Sequence, residues 1–169
     1  MRLPLLLAVL AVALPVAARV PAPRVRAQSF EQLPQPLPLP YDEAANAKAA
    51  VTKARARAKA GGKLLLIDLG GNWCLDCRIL AGTMDLPEVA AFVRRHYELV
   101  TVDIGRFDKN LDVPGHYGIT QRLAGVPALL VVDPRTDKLL DPGRVSALED
   151  ARSMTPQALA DWLAQWVRQ

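Results

Sequence analysis

Apolar and polar residues fall into blocks along the chain, and the length and spacing of each block predict an element. Residues 42–60 are rich in alanine at helical spacing, which predicts a helix with Asp42 as its N-cap. Residues 63–70 form a continuous apolar run bounded by glycine, which is typical of a buried strand. The segment 71–80 follows this strand directly and should open a second helix.

The remaining pattern predicts a regular exchange of helices and strands. Helices should cover residues 86–97 and 155–169, and strands should cover residues 98–105 and 125–134. Between these strands, residues 106–124 should form a polar loop with a short helix near its end. Residues 136–145 should supply the hairpin partner of the last strand, with a turn at 134–137 followed by a short strand. Helices that alternate with buried strands indicate an α/β fold, with a mixed central sheet and helices on both faces.

The first residues have the layout of a secretory signal peptide. One early arginine, Arg2, precedes an apolar run of 16 residues and then small residues. The run is shorter than the roughly 20 residues of a spanning helix, which disfavours the alternative of an uncleaved membrane anchor. We expect cleavage after Ala27, with Ala18 as a second candidate, export to the periplasm or outside the cell, and no membrane insertion afterwards.

The predicted domain organisation has three parts. Residues 1–27 are the signal peptide, residues 28–40 a proline-rich linker, either a tether or an extended arm against the surface, and residues 41–169 one domain. Cleavage after Ala27 removes four arginines and no acid, so 21 basic residues fall to 17 against 17 acidic ones. The basic charge of the whole chain therefore gives no reason to expect a nucleic-acid partner.

The two cysteines of the chain, Cys74 and Cys77, lie within four residues and admit three interpretations. A structural disulfide would close a very small ring and contribute little stability. A structural zinc site requires four ligands, and neither His96 nor His116 is at a ligand spacing from the cysteines. The metal interpretation is therefore restricted to a thiophilic ion such as Cu(I). Redox chemistry suits the spacing, because a cysteine at a helix N-terminus is stabilised as a thiolate and its neighbour one turn deeper can resolve a mixed disulfide.

Two segments resemble the signatures of the thioredoxin superfamily. "DLGGNWCLDC" resembles its active-site segment, with Asp68 six residues before Cys74, and "GVPALLVVD" resembles its cis-proline loop. The resemblance covers about residues 41–167 and includes exported thioredoxin-like proteins, among them the C-terminal domain of the membrane-embedded disulfide reductase of the bacterial periplasm. It implies a thioredoxin fold.

The resemblance also implies a role for each matching residue. Cys74 would attack, Cys77 would resolve the mixed disulfide, and a buried Asp68 with a raised pKa would accept the proton of Cys77. Pro127 should be cis, pack against the cysteines and expose the Val126 backbone to a substrate strand, while Trp73 shields the pair.

Three features depart from the family pattern. Gly70 stands where an aromatic residue often follows the buried aspartate, and an insertion at 107–118 should shape a partner-binding rim. Asp76 lies between the cysteines, and its charge should raise the pKa of Cys74, partly offset by Arg78. This acid favours a reductant or a donor on the isomerase side over a strong oxidant.

The expected function is therefore that of a monomeric thiol–disulfide oxidoreductase on the reducing side. It would exchange disulfides with protein substrates through Cys74, be re-reduced by an upstream reductant, and need no cofactor beyond the Cys74–Cys77 disulfide. The alternative is a non-catalytic binding module of the same fold, for a partner protein or Cu(I). A weaker third possibility is a chaperone-like adaptor.

Overall fold

A computed structural model describes residues 19–168, and the apolar run of the predicted leader lies outside this range. A four-stranded sheet in the order β2-β1-β3-β4 forms the centre of the molecule. Strand β1 is parallel to β2 and antiparallel to β3, which in turn is antiparallel to β4, so the predicted mixed sheet is confirmed. The strands are β1 Leu64–Gly70, β2 Tyr97–Asp103, β3 Ala128–Asp133 and β4 Lys138–Leu139.

Helices cover both faces of the sheet, as expected for an α/β fold. Short 3-10 turns at Phe30–Gln32 and Ala151–Ser153 accompany the α-helices. The short helix predicted near the end of residues 106–124 lies instead in the middle of that loop. Between residues 19 and 168 the α-helices are α1 Ala47–Ala60, α2 Leu75–Met84, α3 Pro87–His96, α4 Asp112–His116 and α5 Pro156–Ala164.

The predicted N-cap of α5 is confirmed, whereas the predicted N-cap of α1 is wrong. Thr155 caps α5 and Pro156 takes its first turn, as expected. The prediction that Asp42 caps α1 is wrong, because the Asn46 side chain accepts the N–H of Ala49 at 3.0 Å and so begins the helix four residues later.

The alternating side chains of β1 serve two separate cores. Leu66 belongs to the core built with α3 and α5, whereas Leu65 and Ile67 belong to the core beneath α1. Cys74 and Cys77 lie in this second core. The cysteine segment is therefore supported by side chains that the central strand directs toward α1.

The end of the predicted leader, residues 19–27, lies along helix α5. The N–H of Val25 donates to Gln157 Oε1 at 2.8 Å, and the Val25 side chain is buried. Cleavage after Ala27 would remove these contacts, while cleavage after Ala18 would keep them. Among the residues that the structure describes, none of the helices has the length and apolar character needed to cross a membrane.

The proline-rich residues 28–40, together called the arm here, pack against the domain. Leu37 is buried in the core beside α2, and the Arg78 side chain donates to the Leu37 carbonyl at 2.9 Å. The Thr101 hydroxyl of β2 donates to the Pro40 carbonyl at 2.9 Å. The arm therefore follows the surface and is fastened at several points.

Two leucines of the arm test this docking. Leu37 is 7% exposed and Leu39 is 64% exposed. Leu37→Ala should cost about 2 kcal/mol of unfolding free energy and lower the melting temperature by roughly 4–8 °C in a thermal melt. Leu39→Ala should stay within about 0.5 kcal/mol of wild type. Equal, negligible effects of both substitutions would show that the arm is a free tether.

Candidate active site

Cys74 is the N-cap residue of helix α2, and Cys77 lies one turn further along. The Cys74 sulfur accepts a hydrogen bond from the N–H of Cys77 at 3.1 Å, and the backbone N–H of Cys74 donates to the Gly71 carbonyl at 3.0 Å. Both cysteines are free thiols; Cys74 is 6% exposed and Cys77 is completely buried. One sulfur therefore lies just beneath the surface and the other behind it.

The loop before β3 lies against the outer sulfur. The Val126–Pro127 peptide bond is cis, which confirms the prediction for Pro127. The Cys74 thiol donates to the Val126 carbonyl at 3.4 Å. The structure thus brings together the two segments that the sequence singled out, although they are far apart along the chain.

The two thiols have opposite electrostatic environments. The hydrogen bond with the Cys77 side chain lowers the pKa of Cys74, and this outweighs burial and the charge of Asp76, which raise it. The hydrogen bond with Cys74 raises the pKa of Cys77, as do burial and the charge of Asp68. Asp76 has the predicted effect on the pKa of Cys74, but the net shift is downward. Cys74 is therefore the thiol that ionises first.

Asp68 is fully buried in the middle of the sheet, opposite Thr101 of β2 and Leu129 of β3. One carboxylate oxygen, Oδ1, accepts a hydrogen bond from the Tyr41 hydroxyl at 2.9 Å. The other, Oδ2, has no partner among residues 19–168. Burial raises the pKa of Asp68 to about 7, against the hydrogen bond from Tyr41, which lowers it. The expected raised pKa is confirmed.

Tyr41 is a site residue that the sequence analysis missed. A Cβ atom at Gly70 would collide with the Tyr41 hydroxyl and would lie only 2.8 Å from the Cys77 sulfur. The phenol therefore occupies the space that a side chain at position 70 would need. The signal for this arrangement was Gly70 itself, in place of the aromatic residue that often stands there.

Asp76 is paired with an arginine that the sequence analysis did not identify. Arg152 donates to the Asp76 carboxylate through its Nε at 3.0 Å and through its backbone N–H at 2.9 Å. Burial raises the pKa of Asp76, but the Arg152 hydrogen bonds more than offset this and hold it below its usual value. The expectation that Arg78 compensates Asp76 is wrong, because Arg78 binds carbonyls of the arm.

An open groove of about 390 Å³ lies beside Cys74. Trp73, 42% exposed, forms one wall and is oriented by a hydrogen bond from its Nε1 to the Gly105 carbonyl at 2.8 Å. The inserted segment 107–118 contributes Phe107 to the same groove. Other lining residues are Leu75, Ala124, Gly125, Val126, Glu149 and Arg152.

Two arginines cover the aromatic rings of this groove. The guanidinium of Arg106 lies 4.3 Å from the centre of the Trp73 ring, and that of Arg122 lies 4.3 Å from the centre of the Phe107 ring. Such cation–π contacts attract the guanidinium groups to the ring faces. The part of the rim formed by Trp73 and Phe107, of which the insertion supplies Phe107, is therefore aromatic and covered by basic side chains.

The described part of the chain contains no preformed cluster of metal ligands. Within residues 19–168, no three or more His, Cys, Asp or Glu side chains are grouped so that they could hold a metal ion. The ligands of a thiophilic ion would therefore be the two thiols.

The sheet order and the paired thiols at the start of α2, beneath a cis-proline loop, define a dithiol protein of thioredoxin architecture. A family model described as thioredoxin-like matches residues 46–134, and the chain belongs to this family. No curated protein sequence gives a significant match.

The solved structures that are similar to this chain include the following two. One is a disulphide isomerase from Xylella fastidiosa Temecula1, 37% identical, covering 76% of this chain and 97% of that one, with a TM-score of 0.69. The other is a thioredoxin from Trichomonas vaginalis, 26% identical, covering 62% of this chain and 83% of that one, with a TM-score of 0.38.

Exchange of the two nearby arginines for methionine tests which one supports Cys74. Arg152→Met leaves Asp76 without its countercharge, so the pKa of Cys74 should rise and alkylation by iodoacetamide at neutral pH should slow. Because Arg152 is half exposed, solvent damps the effect to roughly threefold. Arg78→Met is the matched control and should leave the rate unchanged. A slower reaction in Arg78→Met alone would contradict the assignment.

Proposed function

We propose that this protein reduces or rearranges disulfides in protein substrates through a mixed disulfide on Cys74. Thiol–disulfide oxidoreductase chemistry follows at a general level from the family and from the similarity to a disulphide isomerase. The observation that carries the specific proposal is the Cys74 sulfur at the N-cap of α2, accepting the Cys77 N–H while Asp68 lies buried beneath the pair.

The first step is attack by the Cys74 thiolate on one sulfur of a substrate disulfide. The substrate S–S bond breaks, a Cys74–substrate S–S bond forms, and the expelled substrate thiolate takes a proton from solvent. The free N–H groups at the start of α2 stabilise the attacking thiolate. The groove lined by Trp73 and Phe107 would receive the residues around the substrate cysteine, and the Val126 backbone would pair with the substrate chain.

The second step is attack by Cys77 on the Cys74 sulfur. The Cys77 proton passes to the Asp68 carboxylate, the Cys77 thiolate forms an S–S bond with Cys74, and the mixed disulfide breaks. The second substrate sulfur leaves as a thiolate and takes a proton from solvent. The protein ends with a Cys74–Cys77 disulfide, and two electrons have moved to the substrate. A dithiol reductant must then return two electrons, and no other cofactor is required.

The reducing direction is supported by the acids near the pair. A disulfide is easily reduced when the resulting thiolate is strongly stabilised, as in strong oxidants. Here Asp76 opposes ionisation of Cys74, although the net shift of the Cys74 pKa is downward, and Asp68 opposes ionisation of Cys77. The Arg152 pairing weakens the first of these effects, so Asp68 is the main contributor to the proposed direction.

From the N-terminal sequence we also propose export to the periplasm or outside the cell, and we propose that the mature protein is a monomer. Export fits a protein that exchanges disulfides with folding chains, since disulfides persist in oxidising compartments.

Insulin reduction by dithiothreitol tests the activity. Wild type should accelerate precipitation of the insulin chains, and Cys74→Ser should reduce the rate to that of dithiothreitol alone, because the attacking sulfur is lost. Cys77→Ala should accumulate a covalent adduct with substrate, visible on a non-reducing gel. Equal rates for wild type and Cys74→Ser would favour the non-catalytic binding module instead.

The redox potential tests the direction. Equilibration with dithiothreitol or glutathione should give a value nearer the ~−270 mV of thioredoxin than the ~−120 mV of strong oxidants. Asp68→Asn should make it less negative by roughly 30 mV, because removal of the buried charge stabilises the reduced form. The control is Asp141→Asn, which replaces a second buried acid, one that accepts the Val131 N–H outside the site. A wild-type potential near that of the oxidants would overturn the reducing assignment.

A further inference from the structure

Tyr41 reaches the cysteines from outside the segment that the family model matches, which begins at residue 46. Its side chain is 3% exposed, and its hydroxyl donates to Asp68 Oδ1 at 2.9 Å. The same hydroxyl and the Cys77 sulfur both lie against Gly70, where no side chain separates them. The phenol is therefore part of the immediate surroundings of both the buried acid and the resolving thiol.

The backbone of Tyr41 is fixed on both sides. Its N–H donates to the Asn72 side-chain oxygen at 3.1 Å, and the Asn72 amide donates back to the Tyr41 carbonyl at 2.8 Å. The preceding residue, Pro40, accepts a hydrogen bond from Thr101. These contacts tie Tyr41 to the loop that carries Cys74 and to strand β2, so the phenol is held in place by the same elements that build the site.

The groups that face Asp68 make Tyr41 its main polar partner. Tyr41 directly follows the arm, helix α2 presents Cys77 with Cys74 hydrogen-bonded to it, and the neighbouring strands present Thr101 and Leu129. Among the ion pairs between residues 19 and 168, none involves Asp68. The phenol hydroxyl therefore supplies the stabilisation that a nearby cation could otherwise give to the carboxylate.

We infer that Tyr41 is a positioning residue for the second chemical step: its hydroxyl keeps the Asp68 carboxylate ionised and aimed so that it can take the proton of Cys77. This inference rests on the proposed function and adds to it the residue that directly follows the arm. A hydrogen bond donated to a carboxylate favours its charged form, whereas burial disfavours it. Loss of the hydroxyl leaves both carboxylate oxygens without a partner among residues 19–168, so Asp68 should hold its proton to a higher pH.

The two steps can be separated with dithiobis(nitrobenzoic acid), a small aromatic disulfide that releases a coloured thiolate. Attack by Cys74 on this reagent releases one coloured thiolate, and attack by Cys77 on the resulting mixed disulfide releases a second. The rate of the second release should rise with pH through the titration of Asp68. Tyr41→Phe should move the midpoint of that rise upward by about one pH unit and leave the first release unchanged.

Tyr97→Phe is the matched control. Tyr97 is also a buried tyrosine, 2% exposed, but its hydroxyl donates to the Leu163 carbonyl in the other core. This variant loses the same atom and should keep the wild-type pH profile. In an Asp68→Asn background, Tyr41→Phe should produce no further change, since the residue through which it acts is gone.

Carbon NMR titration of the Asp68 carboxyl gives a readout that is independent of turnover. Its midpoint should lie higher in Tyr41→Phe than in wild type and in Tyr97→Phe. Two releases in wild type with an unchanged profile and midpoint in Tyr41→Phe would overturn the role of Tyr41 and leave the proposed function intact. A single release in wild type would instead overturn the proposed two-thiol reaction, and the role of Tyr41 with it.

Discussion

The carboxyl group of Asp68 lies in the middle of the central sheet without access to solvent, and the rest of the site is organised around this burial. An ionised carboxylate without water needs hydrogen bonds or a countercharge, or it takes up a proton. The structure supplies a single hydrogen bond, from Tyr41, and leaves the second oxygen without a partner among residues 19–168. The hydrogen bond from Tyr41 offsets only part of the effect of burial, and the pKa of Asp68 is therefore about 7. If hydrogen bonds offset burial fully, the carboxylate would stay ionised, and without any hydrogen bond it would stay protonated. In either case it could not exchange a proton with Cys77 near neutral pH.

The two thiols divide the reaction between them because their surroundings differ. Cys74 caps a helix, receives the Cys77 N–H and lies next to a groove, so it can ionise and meet a substrate. Cys77 is buried beside Asp68 and holds its proton until the mixed disulfide exists. Asp76 would disturb this division if it stood alone, since it lies in the same helical turn. Its pairing with Arg152 confines its charge and also joins α2 to the turn at Ala151–Ser153, so one ion pair serves both electrostatics and packing.

Local sequence signals predicted the parts of the site that a short segment determines. The spacing of Asp68, Cys74 and Cys77, and the position of Pro127 before a strand, belong to continuous motifs, and the alternation of apolar blocks predicted the sheet and its helices. Contacts that the fold creates between distant residues could not be read in this way. Tyr41 and Asp68 are separated by 27 positions, and Arg152 and Asp76 by 76. The expectation that Arg78 would partly offset the charge of Asp76 failed for the same reason, since proximity along a helix does not determine where a long side chain finds its acceptor.

The position of the Tyr41 phenol depends on the absence of a side chain at Gly70. A side chain at position 70 would expel the phenol, and without the phenol the missing side chain would leave a void beneath Cys77. Tyr41, which directly follows the arm, thus fills the space that Gly70 leaves without a side chain, and it adds a hydroxyl that an aromatic hydrocarbon would not provide. Undocking of the arm and substitution of Tyr41 by phenylalanine both remove that hydroxyl, but they shift the pKa of Asp68 in opposite directions. Water admitted by an undocked arm would hydrate the Asp68 carboxylate and lower its pKa, whereas a phenyl ring in the same place would exclude water and raise it. Only the docked tyrosine combines exclusion of water with one hydrogen bond, and this combination holds the proton affinity of Asp68 near neutrality.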